Sequence, residues 1–141
     1  MTDTPGEPRL HHVVCAVAAQ QHDAVAELFT DLGFVFEILE LNELGLHVHL
    51  DWKRGIELVS PISESTAPVA NSVRQFLDSN GNGIYTVVLR LPDAAAAESI
   101  AERYSATTRF RQSFSGNGSF LDEIDSSVFG LPLTFLSTNV Q

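Results

Sequence analysis

The sequence predicts an α+β fold of two tandem βαβββ modules, forming a curved half-open barrel with helices outside. Three observations predict it. Strand-like runs alternate apolar and polar residues, the period of a half-buried strand. Each half of the chain carries one clear amphipathic helix between its first and second strands. The order of elements then repeats after about 70 residues, the mark of an internal duplication.

Module one spans residues 9–60 and follows a polar, Pro/Gly-rich lead over 1–8 that reads as flexible. Leu10–Val17 is rich in β-branched residues and reads as a strand. Ala24, Val25, Leu28, Phe29 and Leu32 have helical spacing, and Gly33 is placed to end that helix. Phe34–Leu41, Leu44–Trp52 and Ile56–Val59 read as three strands, turned at Asn42-Glu43 and Lys53-Arg54-Gly55. Residues 61–83 read as a connection holding a short helix over Val69–Leu77 and a Gly81–Gly83 loop. Module two spans 84–137. Ile84–Leu91 is its first strand, and Asp93 can cap a helix running to Tyr104. Thr107–Phe114, Ser119–Ile124 and Val128–Leu136 are its remaining strands, with turns at Gly116-Asn117-Gly118 and Asp125-Ser126-Ser127.

Composition narrows the function. The chain has 141 residues, 44% of them hydrophobic, enough for one packed domain. Eight basic residues against eighteen acidic ones give a net charge of −10, which disfavours nucleic acid and anionic membranes as partners. The single cysteine, Cys15, lies in an apolar run and reads as a buried hydrophobe. No signal-like or membrane-length apolar run is seen, so the expected location is cytoplasmic.

The run Leu10-His11-His12-Val13-Val14-Cys15-Ala16-Val17, the helix end Leu32-Gly33-Phe34 and the strand Gly55-Ile56-Glu57-Leu58-Val59-Ser60-Pro61 resemble the vicinal oxygen chelate superfamily. The likeness is nearest to its methylmalonyl-CoA epimerase branch. It implies the paired-module fold, small-molecule chemistry in the barrel and a homodimer. It also implies a metal site of four ligands on the first and fourth strands of each module. His12 and Glu57 match the first two positions, while Thr86 and Thr134 stand at the other two. Module one retains its pair and module two has lost both ligands. Neutral hydroxyls replace imidazole and carboxylate poorly at a divalent ion.

The expected function is therefore a metal-independent isomerase, epimerase or lyase working by proton transfer. Glu57 is its candidate base, with His12 and His49 as catalytic partners. Alternation puts His47, His49 and Asp51 on one strand face, expected to line the cavity, and Leu46, Val48 and Leu50 on the other, expected under the helix. His47, Trp52, Tyr85, Thr86, Val88 and Thr134 are the candidate ligand-binding residues. Phe114, Phe120, Phe129, Leu131 and Leu136 suggest a greasy cavity and a hydrophobic organic ligand. No cofactor is expected; the alternative is a relocated divalent metal at His12, His49 and Glu57.

Blander readings stand beside these. His47 and His49 can be the solvated side of a sheet, and Glu57 can pair with Arg90 or Arg109. His11 is expected to face solvent or the second module, and His22 the surface. Arg109 and Arg111 can hold a ligand anion or line a solvated edge. The rival functions are a non-catalytic binding protein of the bleomycin-resistance type and an interaction module with a filled cavity.

Overall fold

A computed structural model describes residues 7–140, so the expected lead over 1–8 lies, apart from Glu7 and Pro8, outside the described residues. The elements are β1 (Arg9–Ala16), a short 3-10 turn (Ala19–Gln21), α1 (His22–Asp31), β2 (Glu37–Leu41), β3 (Leu46–Asp51), β4 (Ile56–Pro61) and α2 (Pro68–Asn80). They continue as β5 (Gly83–Arg90), α3 (Ala94–Glu102), β6 (Thr107–Gly116), β7 (Ser119–Val128) and β8 (Leu131–Thr138). The α+β class and the tandem βαβββ order expected from the sequence are what the structure contains. No helix among the described residues is long and apolar enough to cross a membrane.

The described chain groups into two compact units. One is His12–Tyr85; the other joins the residues up to His11 to those from Thr86 onward. In the first, the strands lie in the order β2-β3-β4-β1, with β1 parallel to β4 and the remaining neighbours antiparallel. In the second the order is β5-β8-β7-β6, again with one parallel pair, β5 with β8.

Each unit buries one sheet face under its own helix. Val17, Ala26 and Leu58 form the first core, with Cys15, Val25, Phe29, Phe36 and Ile56 packed around them. Ala94, Ile124 and Phe135 form the second, with Leu91, Ala97, Ala101 and Leu133. Strand alternation then turns His12 and Glu57 away from α1, as expected. Partial burial pushes the Cys15 thiol up, favouring its protonated form.

Local chemistry explains the boundaries. Asp93 caps α3, its carboxylate accepting the Ala96 N–H at 3.2 Å. One expected turn is corrected. Asp125, Ser126 and Ser127 lie inside β7, and the chain reverses instead at Phe129-Gly130. Both turn residues have positive φ, 53° and 79°, the backbone of a tight two-residue hairpin. Asp125 stays in the strand because Arg109 on β6 engages its carboxylate.

Gly45 closes the β2–β3 turn with φ of 71°, and its carbonyl accepts the Ile62 N–H at 2.7 Å. A Cβ there would overlap Ser65 and stand 2.9 Å from the Ala70 Cβ. Gly45→Ala is therefore expected to destabilise the protein by about 2–3 kcal/mol, combining overpacking with a strained φ, as read by urea denaturation.

Candidate functional site

The first constellation comes from the parallel pairing of β1 with β4. Val14 lies opposite Glu57, so His12 sits one pleat earlier on the same face. The two side chains meet, His12 Nε2 to Glu57 Oε1, at 3.1 Å. His12 is 3% exposed and Glu57 20% exposed, so the imidazole is the buried partner and the carboxylate the accessible one. The ring of Trp52, in the turn after β3, meets His12 edge-on at 6.5 Å between centroids. Val14, Val48 and Val59 are buried on that same face. The arrangement is a carboxylate held by one imidazole N–H against an apolar wall, a geometry suited to accepting a proton from a ligand.

The face expected for β3 is reversed. Asp51 pairs with Ile56, which sets His49 opposite Leu58 and Leu50 opposite Glu57. His47, His49 and Asp51 therefore share the α1 face with Leu58, and Leu46, Val48 and Leu50 share the Glu57 face. His49 does not join His12 and Glu57, so those three side chains cannot form the relocated metal site. Asp51 is a structural acceptor, taking N–H bonds from Val35 and Arg54 and pairing with the Arg54 guanidinium. Burial alone would raise its carboxyl; those donors outweigh it and hold the group below the usual range.

His22, expected at the surface, is 5% exposed. Ser60 donates its hydroxyl to the Val17 carbonyl, so it accepts from the His22 Nδ1–H at 2.5 Å. His22 Nε2 is then the acceptor for the His49 Nδ1–H at 2.8 Å. Burial, with the neighbouring His49 and His47 adding to it and Asp23 opposing, pushes His22 down to about 4. Burial likewise lowers His49. His47 is more open and pairs with Glu40 at 2.9 Å. A cleft of about 490 Å³ opens beside this cluster, lined by Asp23, Glu27, Phe34, Phe36, Ile38 and His49. The burial of His22 and Ser60 carries no periodic signal: one is a polar first-turn residue, the other an ordinary strand serine.

In the other unit, Val88 lies opposite Thr134 just as Val14 lies opposite Glu57. Thr86 and Thr134 thus hold the positions that His12 and Glu57 hold in module one. Their hydroxyls bond each other at 3.0 Å, and both residues are buried. Val88 and Leu136 are buried too, whereas Phe114, Phe120, Phe129 and Leu131 are exposed, Phe129 by 79%. Those four side chains are not packed into a buried core. Tyr85 is held on the α2 side, its hydroxyl 2.6 Å from Ser72 Oγ and its ring against Phe76. Arg109 grips Asp125, Arg111 grips Glu98, and Arg90 donates to the carbonyls of Thr138 and Val140. Burial raises the Asp125 carboxyl, with Arg109 opposing. His11 is buried within β1, not open to solvent.

Solved structures share this architecture. Methylmalonyl-CoA epimerase from Mycobacterium tuberculosis is 23% identical, with a TM-score of 0.63 over 91% of this chain and 86% of that one. The chain has the vicinal oxygen chelate fold. Streptomyces coelicolor methylmalonyl-CoA epimerase, solved with 2-nitronate-propionyl-CoA, is 18% identical, with a TM-score of 0.66 over 94% and 98%. A hypothetical protein from Bacillus halodurans C-125 is 17% identical, with a TM-score of 0.68 over 96% and 97%. No protein-family model and no curated protein sequence matches the chain.

The metal that the resemblance implies does not fit the donors this chain carries. Two of the four positions are threonine hydroxyls that satisfy each other, with neither imidazole nor carboxylate to offer. Among the described residues, no three or more His, Cys, Asp or Glu side chains are arranged to hold an ion.

Two outcomes are expected. Thr86→Val alone strands a buried hydroxyl and is expected to lower stability by about 1–3 kcal/mol, whereas Thr86→Val with Thr134→Val recovers most of that loss in the same urea titration. His22 is neutral in the fold and titrates near 6.5 when unfolded, so protonation favours unfolding. Its contribution is complete above pH 6.5 and is lost as pH falls towards about 4. The stability gap between the native protein and His22→Gln is expected to narrow by about 2–3 kcal/mol between pH 7 and pH 4.

Proposed function

We propose that this protein is a small-molecule isomerase or epimerase in which Glu57 carries the proton. The observation behind this reading is the His12–Glu57 pair: a buried imidazole fixing a partly accessible carboxylate on the sheet face opposite α1. Glu57 takes the proton from a carbon next to a carbonyl and returns it, or exchanges it with solvent. The His12 N–H keeps one carboxylate oxygen occupied and so orients the other. Trp52 beside His12 supplies an aromatic wall for an organic ligand. The shared fold with methylmalonyl-CoA epimerases supports this class of reaction, and their CoA-derived ligands support thioesters as the first compounds to try.

The test is hydrogen exchange. A panel of acyl-CoA thioesters, methylmalonyl-CoA included, is incubated with the protein in D2O, and deuterium uptake is followed by mass spectrometry. The native protein is expected to catalyse exchange on at least one compound. Glu57→Gln is expected to slow it by about 10²–10⁴-fold while ligand affinity changes little. A bound compound with no exchange, and affinity indifferent to Glu57→Gln, would overturn the enzyme reading in favour of a sequestering protein.

A further inference from the structure

The α1 face of the His12–Tyr85 unit gathers three imidazoles that the proposed chemistry leaves unused. His47 and His49 are two residues apart on β3 and so project from the same face. His22 projects onto them from the first turn of α1. Its ring centroid is 4.7 Å from that of His49 and 6.5 Å from that of His47.

We propose that His22, His47 and His49 form a binding site for a divalent transition-metal ion that favours imidazole, such as Zn2+, Co2+ or Ni2+. The His22 tautomer is already the one a ligand needs. Ser60, fully buried and anchored to the Val17 carbonyl, holds the Nδ1–H and leaves the Nε2 lone pair aimed at His49. Fixing the remote N–H by a neighbouring oxygen is how ligating histidines are oriented. His22 Nε2 and His49 Nδ1 face each other at 2.8 Å. Two nitrogens on a tetrahedral ion with bonds of 2.0–2.1 Å stand about 3.3 Å apart. Opening the pair by about half an ångström therefore admits an ion, a shift within side-chain freedom.

Three further features fit. His49 moves its proton from Nδ1 to Nε2 on binding, a tautomer change with no net proton release. His47 is turned to Glu40 in the present arrangement, and three donors do not yet converge among the described residues. That pair is solvent-exposed and weak, so rotation of His47 towards the ion meets little resistance. Asp23 sits in the same cleft as His49, and solvent reaches the cleft, so a carboxylate or water completes the shell. Both His22 and His49 are shifted towards the neutral form that metal binding requires. This site lies on the opposite sheet face from His12 and Glu57 and does not depend on their role.

The experiment uses the full chain without a histidine tag, titrated with Zn2+ by calorimetry and with Co2+ by visible absorption. A single ion with a tetrahedral or five-coordinate cobalt spectrum is expected. His47→Gln and His49→Gln are each expected to weaken binding by at least about tenfold, and Ser60→Ala by about tenfold through the loosened His22. His12→Gln and Glu57→Gln are expected to leave affinity within about twofold, since they lie on the other face. His47 is a surface side chain, so its variant keeps the test decisive if His49→Gln folds poorly. Absence of binding by the native protein would overturn the proposal. So would binding that survives His47→Gln, or binding lost in His12→Gln.

Discussion

Parallel pairing of β1 with β4 sets Val14 opposite Glu57, and most of the chemistry of the first unit follows from that register. It puts an imidazole and a carboxylate one pleat apart on neighbouring strands, at hydrogen-bonding distance. It also turns Cys15, Val17, Ile56 and Leu58 towards α1, where they form the core. The core and the His12–Glu57 pair are thus the two faces of one ladder. A slip of β1 by a single residue would turn His12 under the helix, away from Glu57, and bring Cys15 to the opposite face.

The second ladder of that unit, β3 against β4, decides what surrounds the pair. Four residues, Trp52 to Gly55, separate Asp51 from its partner Ile56. That loop length makes His49 the partner of Leu58 and Leu50 the partner of Glu57. One more residue in the loop would have brought the histidines onto the Glu57 face. The result is a segregated sheet: an imidazole–carboxylate pair on an apolar face, and a string of polar bonds from Val17 through Ser60 and His22 to His49 on the helix face.

Much of this was legible from residue pattern. The family resemblance brought His12 and Glu57 together, and alternation in β1 and β4 then put Cys15 and Leu58 under the helix. Asp93 was recognisable as a cap because its carboxylate acts on its own helix. The failures were of one kind, interactions between elements that no local period encodes. The face of His47 and His49 depended on a loop count. The burial of His22 depended on a serine 38 residues away. The Asp125-Ser126-Ser127 segment has turn composition, yet Arg109 across the ladder keeps it extended. Tyr85 offered a hydroxyl to the ligand on paper, and α2 claimed it through Ser72.

The matched registers of the two parallel pairs, Val14 with Glu57 and Val88 with Thr134, bear on the history and the reuse of this chain. Hydrogen-bonded ladders keep their geometry under side-chain change because the backbone groups in them are paired. Here the two ladders share one register while the side chains they carry differ. In module two Thr86 and Thr134 stand in the same alignment that His12 and Glu57 hold in module one. That alignment makes the second module a frame on which a designer could place a second pair of functional groups, provided the packing around Thr86 and Thr134 is opened.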